Sequence, residues 1–159
     1  MGAALAPRLG LPRTGVIVTG GASGIGLACA RALAAVGRPV ALWDFDGEKA
    51  RAEAVAVARE FGLAAVGIAI DLTDLAAYPA AIGESRAALG GIGGLVHAAG
   101  IVDTGSLEGL DEAVWARGID THLRPLAMLA KALLADLTAS PGSAIVAIAS
   151  INATLGNGL

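Results

Sequence analysis

Short apolar runs rich in valine and isoleucine alternate along this chain with longer segments of alanine, leucine and charged residues. The short runs predict buried β-strands, and the longer segments predict helices. Strands that alternate with helices predict right-handed βαβ crossovers and a parallel sheet. The expected fold class is α/β, a doubly wound parallel sheet in a three-layer α/β/α arrangement. The predicted strands are 15–19, 39–43, 64–70, 93–97 and 143–149, and the predicted helices are 25–36, 47–60, 74–89 and roughly 107–137.

Capping residues place the ends of the first three helices. Gly37 is expected to end the first helix, since glycine readily takes the left-handed conformation that follows a helix. Asp46 or Gly47 starts the second helix, and Asp71 or Thr73 starts the third.

The last predicted helix contains a proline. Pro125 lies inside an apolar stripe that runs from Leu123 to Leu137. Proline has no backbone N–H and disfavours helix in the residue before it. The segment is therefore either one helix kinked at Arg124 or two helices, and we favour the kink.

Composition excludes several classes of function. The chain of 159 residues is 55% hydrophobic and fits one domain with a substantial core. Its apolar runs are too short to cross a membrane, and a net charge of −3 with scattered basic residues does not favour nucleic-acid binding. No metal site is expected. The single cysteine, Cys29, fits a reducing cytoplasm, and residues 1–13, which include Pro7 and Pro12, are expected to form a flexible leader.

A glycine-rich run lies between the first predicted strand and the first predicted helix. A turn of this kind lets a phosphate approach the backbone, and the helix N-terminus adds unpaired N–H groups and the positive end of its dipole. Glycine clusters also occur in ordinary loops, so the strand–turn–helix context carries the argument. The candidate binding residues here are Thr19, Gly20, Ser23, Gly24, Ile25 and Gly26.

Residues at the ends of the next strands extend this candidate site. Asp44 can accept both hydrogen bonds of a ribose diol and would repel a 2′-phosphate, although it could instead only cap a turn. Asp71, followed by Leu72, could reach an adenine edge, and helix capping is nearly as plausible. The small residues Ala98, Ala99 and Gly100 leave room for a flat ligand after the fourth strand.

These residues together resemble the N-terminal part of the short-chain dehydrogenase/reductase family, which has a Rossmann-type fold. Thr19–Gly26 matches its TGxxxGIG turn, and Asp71 matches its adenine-contacting aspartate. His97–Gly100 stands where the family usually has Asn-Asn-Ala-Gly. The stretches 115–124 and 142–150 resemble those that contain its relay asparagine and its catalytic serine.

The resemblance implies hydride transfer between a nicotinamide cofactor and a secondary alcohol or ketone. Ser150 would then donate a hydrogen bond to the substrate oxygen, or it merely ends a strand. NAD is expected rather than NADP, because Ser23 and Phe45 stand where NADP-dependent members commonly carry a basic residue. The family often forms tetramers through its fourth and fifth helices, so a homo-oligomer, a tetramer or a dimer, is expected.

Two departures from the family pattern qualify this expectation. His122 stands at the position of the relay asparagine and could support a modified proton relay or be an ordinary helix-face histidine. The family's Tyr-xxx-Lys pair would lie beyond Ser150, and Tyr78, the only tyrosine, is far upstream. Residues 14–159 are therefore expected to be an NAD(P)-binding domain that lacks its C-terminal third and is inactive alone. The alternatives are a nucleotide-binding pseudoenzyme or assembly subunit, and an interaction module that reuses the fold.

Overall fold

The structure, a computed structural model, describes residues 13–102 and 107–150. Five parallel strands form one sheet in the order β3-β2-β1-β4-β5. The chain builds from β1 outward to β3 and then crosses back to add β4 and β5 on the other side of β1. The carboxyl ends of β1 and β4 therefore flank the switch point at which such sheets bind ligands. The strands are β1 Gly15–Thr19, β2 Val40–Asp44, β3 Ala65–Ala69, β4 Ile92–His97 and β5 Ala144–Ala147.

Helices cover both faces of the sheet, which confirms the predicted three-layer, doubly wound arrangement. On one face α1 and α2 pack in a core cluster with alternate residues of β1 and β2, and on the other face α3, α5 and α6 form a second cluster. The helices are α1 Gly24–Ala35, α2 Gly47–Phe61, α3 Tyr78–Leu89, α4 Glu112–His122, α5 Arg124–Ala132 and α6 Leu134–Ala139, with short 3-10 helices at Leu75–Ala77 and Leu107–Gly109. None of the helices in the described ranges has the length and apolar character needed to cross a membrane.

Local capping follows the sequence in the first half of the chain. The Asp46 carboxylate accepts a hydrogen bond from the Lys49 N–H at 3.0 Å and so starts α2. Gly37 follows the end of α1 with φ of +87°, a conformation that favours glycine. Both predictions are confirmed.

The predicted start of the third helix is wrong. The Asp71 carboxylate accepts hydrogen bonds from the Thr73 N–H at 2.8 Å and the Thr73 hydroxyl at 2.7 Å, which makes a local turn instead of a helix cap. Asp74 then caps the short 3-10 helix, and α3 begins only at Tyr78.

The single kinked helix predicted over 107–137 is also wrong. The segment divides into α4, α5 and α6, with breaks at Leu123 and Leu133. Pro125 lies in the first turn of α5, where a missing N–H breaks no helical hydrogen bond. The break at Leu133 has no proline or glycine signal. Leu129, Leu133 and Leu137 are buried, so most of the apolar stripe is a core face.

The two sides of the sheet differ in cover. All residues of β1 are buried, whereas all residues of β5 are exposed. Beyond β5 the Ile148 N–H still donates to the His97 carbonyl at 2.9 Å. Of the predicted leader, only Arg13 belongs to the described residues.

Candidate functional site

A cavity, called the main cavity below, lies at the carboxyl ends of β1 to β4, where the order of the strands reverses. Its volume is about 680 Å³, which is in the range of small-molecule and cofactor sites. The predicted residues that line it are Gly20, Ser23, Gly24, Ile25, Gly26, Asp44, Asp71, Leu72, Ala98, Ala99 and Gly100. The lining residues that the sequence did not single out for this cavity are Phe45, Ile70, Thr73, Ile101, Val102 and Thr121.

The glycines of the turn between β1 and α1 have different roles. A Cβ at Gly26 would lie 2.1 Å from the Gly20 carbonyl oxygen, so Gly26 is required for the turn to pack against the helix. Gly24 has φ of +49° and no heavy atom within 4 Å of the Cβ position. A side chain at Gly24 would therefore extend into the open space of the cavity.

The N-terminus of α1 offers uncapped donors to this space. Ser23 occupies the N-cap position in an extended conformation, and its side chain makes no capping hydrogen bond. The first turn of α1 contains no acidic residue. The first N–H groups of this helix and its dipole therefore favour an anion at the glycine-rich turn.

Asp44 is held in place by the same turn. Its Oδ2 accepts a hydrogen bond from the Ala22 N–H at 3.0 Å, and its Oδ1 accepts one from the Asp46 N–H at 3.1 Å. The Gly21 N–H donates to the Trp43 carbonyl at 3.1 Å and adds a second link between the turn and β2. A carboxylate has about four lone-pair positions, so each oxygen can accept a further hydrogen bond from a ligand.

Buried contacts support the far end of the cavity. The Tyr78 hydroxyl donates to the Leu72 carbonyl at 2.7 Å. Burial raises the pKa of Tyr78 to about 12, with Arg124 opposing and Asp71 adding to the shift. The Tyr78 phenol is therefore a stable donor across the ordinary pH range, and it fixes the Asp71–Leu72 turn from below. Phe45 is 81% exposed at the rim.

Thr19 lies beneath the cavity and does not line it. Its hydroxyl is fully buried and accepts hydrogen bonds from the Ala98 and Ala99 N–H groups, each at 3.2 Å. The Thr19 hydroxyl also lies 2.9 Å from His97 Nδ1. Thr19 therefore holds the end of β4 that forms the cavity floor, where the sequence had predicted direct ligand contact.

His97 is a buried polar residue to which sequence reasoning gave no separate role. Its Nε2 lies 2.9 Å from the His122 carbonyl oxygen. A carbonyl only accepts, so Nε2 carries the proton, and Nδ1 accepts from the Thr19 hydroxyl. Burial lowers the pKa of His97, the hydrogen bond to the His122 backbone opposes that shift, and the nearby His122 ring adds to it. His97 is thus neutral near pH 7.

His122 lies close to the cavity and faces a second, smaller one. A Cβ at Gly100 would be 2.7 Å from His122 Cε1, so the ring rests against this glycine. The Ile101 N–H approaches His122 Nε2 at 3.4 Å. The second cavity has a volume of about 220 Å³ and is lined by Ile101, Leu110, Val114, Trp115, Gly118, Ile119 and His122.

Ser150 is exposed beyond β5 and lines neither of these two cavities. Among the described residues that line the main cavity, none is lysine, arginine or histidine, and the charged ones are Asp44 and Asp71. Within 13–102 and 107–150, no three His, Cys, Asp or Glu side chains converge as a metal site requires.

Comparisons with a family model and with known proteins agree on one family. Residues 14–158 match the model of the short chain dehydrogenase family. A probable galactose dehydrogenase of Rhizobium meliloti is 36% identical over 137 residues, which cover 86% of this chain and 54% of that protein. The galactitol 2-dehydrogenase of Agrobacterium fabrum is 34% identical over 135 residues, which cover 84% of this chain and 51% of the relative.

Solved structures show the same likeness. The crystal structure of L-sorbose reductase from Gluconobacter frateurii, complexed with NADPH and L-sorbose, superposes with a TM-score of 0.82 at 27% identity. The match covers 88% of this chain and 53% of the reductase. The chain thus spans about half the length of the curated relatives it matches.

Proposed function

The chain belongs to the short-chain dehydrogenase family, and we propose that its main cavity binds NAD for hydride transfer between NAD(H) and a secondary alcohol or ketone. The observation that carries this proposal is the open space over Gly24 at the N-terminus of α1, which we call the glycine cradle. The Asp44 carboxylate is fixed beside it by a hydrogen bond from the Ala22 N–H at 3.0 Å. The cofactor would supply the hydride chemistry, and the residues of this chain would bind and orient it.

The lining residues fit the successive parts of a dinucleotide. The space over Gly24 and the α1 N-terminus suits the pyrophosphate, because a side chain there would fill it. Asp44 suits the adenosine ribose, and Asp71 with Leu72 suits the adenine. The small residues Ala98, Ala99 and Gly100 leave space for the nicotinamide end, with Thr19 as their support from below.

Electrostatics favours NAD over NADP in this proposal. A 2′-phosphate on the adenosine ribose would meet the Asp44 carboxylate, and no lysine or arginine among the described lining residues would neutralise it. The related L-sorbose reductase was crystallised with NADPH. The proposal therefore gives this chain a different cofactor from that relative.

Ser150 and His122 are the proposed catalytic residues of this chain. Ser150 would donate a hydrogen bond to the substrate oxygen as negative charge develops on it. His122, whose ring lies against Gly100, would take part in proton transfer from the edge of the cavity. The relatives named for galactose, galactitol and L-sorbose support a small alcohol or carbonyl compound as the substrate class.

Tyr78 favours a second candidate function, dinucleotide binding without turnover. Tyr78 is the chain's single tyrosine, and its hydroxyl is committed to the Leu72 carbonyl. This phenol is therefore not placed to exchange a proton with a substrate. A chain that bound NAD without a group placed for this proton exchange would act as a pseudoenzyme or an assembly subunit.

A homo-oligomer in the cytoplasm completes the proposal. Trp115 and Ile119 of α4 are 58% and 36% exposed, and they support an oligomer better than the largely buried leucine stripe does. Sedimentation of the wild-type chain and of Trp115→Glu tests this. A smaller species in the variant alone is the expected result, and a monomeric wild type contradicts it.

Fluorescence titration with NADH and NADPH tests the cofactor assignment. Trp43 directly precedes Asp44, and replacing Trp115, the other tryptophan, with phenylalanine leaves one reporter. We expect the wild-type chain to bind NADH more tightly than NADPH. Asp44→Asn should reduce the ratio of the two affinities by about tenfold, or ~1.4 kcal/mol. Asp46→Asn is the matched control. It removes the same charge two residues further along the chain, from a side chain that caps α2.

Preference for NADPH in the wild type would refute the role of Asp44. Loss of discrimination in Asp46→Asn as large as in Asp44→Asn would show that net charge, and not contact with the ribose, sets the preference. Turnover is tested separately by adding galactitol and other secondary alcohols with NAD. Binding without turnover would favour the second candidate.

A further inference from the structure

We propose that His97 is a positioning residue that joins the floor of the main cavity to His122 through the two nitrogens of one neutral imidazole. The proposal deepens the proposed function, since it concerns the same cavity and its edge. His97 is 3% exposed, so it touches no ligand and acts only through its neighbours.

The first arm of this link runs from Nδ1 to the cavity floor. His97 and Thr19 are directly paired in the register of β4 and β1. The Thr19 hydroxyl donates its single proton to His97 Nδ1 at 2.9 Å and uses its acceptor positions for the Ala98 and Ala99 N–H groups. The acceptor at Nδ1 therefore orients the hydroxyl that holds the floor.

The second arm runs from Nε2 to the break between α4 and α5. The Nε2–H donates to the His122 carbonyl at 2.9 Å. His122 is the last residue of α4, and its ring lies against Gly100 at the end of the same cavity floor. Fixing the carbonyl fixes the backbone from which this ring extends. The two arms thus connect residues that are 78 and 25 positions from His97.

An imidazole can make both contacts, whereas either amide side chain retains only one. An asparagine places its carboxamide near the position of Nδ1, and a glutamine places its carboxamide near the position of Nε2. A protonated imidazole would donate at Nδ1. Thr19 would then face three donors and keep no acceptor for its own proton, so the network requires the neutral ring.

Two substitutions at the same position separate the arms. His97→Asn should keep the contact to Thr19 and lose the contact to His122. His97→Gln should keep the contact to His122 and lose the contact to Thr19. Thr19→Val, nearly isosteric, removes the first arm from the other side and is the matched control for His97→Gln.

Resonances of the labelled full chain, recorded without ligand, report each arm. We expect His97→Asn to shift the Ile101 amide and the His122 ring signals, and to leave the Ala98 and Ala99 amides near their wild-type positions. His97→Gln and Thr19→Val should give the opposite pattern. The assignment is simple in both His97 variants, since His122 is then the only histidine.

Affinity for NADH supplies the functional measurement. Loss of the Thr19–His97 hydrogen bond is expected to weaken NADH binding about fivefold in His97→Gln. Thr19→Val also loses the contacts to the Ala98 and Ala99 N–H groups, so it should weaken binding at least as much. His97→Asn should stay within about twofold of the wild type. A merely structural role of His97 would weaken binding alike in both His97 variants, and that result would overturn the proposal.

The resonance data keep this test apart from that of the proposed function. A wild-type chain that fails to bind NADH would refute the proposed function, while the amide patterns would still decide the link. If either His97 variant failed to fold, the imidazole nitrogen shifts of the wild type would decide. A neutral ring protonated at Nε2 is expected near pH 7, and a ring protonated at Nδ1 would overturn the proposal.

Discussion

Strands β1 and β5 flank β4 in the same sheet, yet they differ in almost every contact. All residues of β1 are buried between two helical layers, while all residues of β5 are exposed and pair with β4 alone among the described strands. The burial of β1 places the glycine-rich turn on a rigid support. Within the described residues, the side of the glycine-rich turn is therefore closely packed, and the side of β5 is less covered.

The chemical groups follow the same division. On the β1 side, Asp44 and the turn contact each other directly, through the Ala22 N–H at 3.0 Å. On the β4–β5 side, His122 lines the smaller cavity, and Ser150 lines neither that cavity nor the main one. The proposed binding role is therefore supported by a contact between Asp44 and the turn. The proposed catalytic role is supported by the separate positions of His122 and Ser150.

The largest expected effect is a loss of stability that differs between β1 and β5. Ile17→Ala in β1 should lower the free energy of unfolding by about 2–5 kcal/mol, because Ile17 is fully buried and the truncation leaves a cavity. Ile145→Ala in β5 should lower it by less than about 1 kcal/mol, since that side chain is 43% exposed. Urea unfolding measures both, and equal losses would show that β5 is as closely packed as β1.

A bulky residue in the cradle should have the next largest effect, on binding. Gly24→Leu is expected to reduce NADH affinity by about 100-fold, or ~2.7 kcal/mol, because the side chain would occupy the space proposed for the pyrophosphate. Gly62→Leu is the matched control. Gly62 has φ of +66° and equally open surroundings, but it ends α2.

Both variants should lose similar stability from the positive φ, so calorimetric titration of NADH separates strain from occupancy. Wild-type affinity in Gly24→Leu would remove the cradle from the proposed site. A comparable loss of affinity in Gly62→Leu would mean that backbone strain, not filling of the cavity, weakens binding.

Removing one support of the Asp71–Leu72 turn, the site proposed for the adenine, should have a smaller effect. Tyr78→Phe deletes the hydrogen bond to the Leu72 carbonyl and keeps the ring, so unfolding should become easier by about 1 kcal/mol. NADH affinity should fall, but less than in Gly24→Leu, since only the Asp71–Leu72 turn is loosened. Thermal unfolding and titration measure the two, and tighter binding in the variant would contradict this support.

The smallest expected effect is a pH dependence of stability from His97. Burial lowers the pKa of His97 in the folded chain, so the unfolded chain binds more protons once the pH falls below the ordinary histidine value of about 6.5. Stability should therefore be complete above that value and decrease toward acid pH. Urea unfolding between pH 5.5 and 7.5 measures the slope, which should be smaller in His97→Asn.

Much of this architecture follows from short segments. The alternating apolar runs predicted all five strands to within two residues at each end, and Asp46 predicted the start of α2. Gly20, Gly24 and Gly26 of the TGxxxGIG turn line one cavity together with Asp44, as their positions at strand ends imply. Such features depend on neighbours a few residues apart, and local sequence describes those neighbours.

The features that the sequence does not reveal lie where distant segments meet. Thr19 was expected to touch a ligand, but its partners are His97, Ala98 and Ala99 in another strand. The break at Leu133 lies where Leu129 and Leu137 are buried in the core, and it has no local signal. His97 occupies a strand end in the sequence, and only the arrival of α4 beside β4 gives its imidazole a second partner.

The order of elements, the parallel sheet and the glycine cradle are encoded locally, because hydrophobic periodicity and backbone freedom act over a few residues. Packing between segments far apart in the chain decides the rest. It sets the protonation state of His97, buries Thr19 and places the His122 ring against Gly100. A buried polar group must find a partner wherever the fold brings one. No pattern of neighbouring residues specifies which partner that will be.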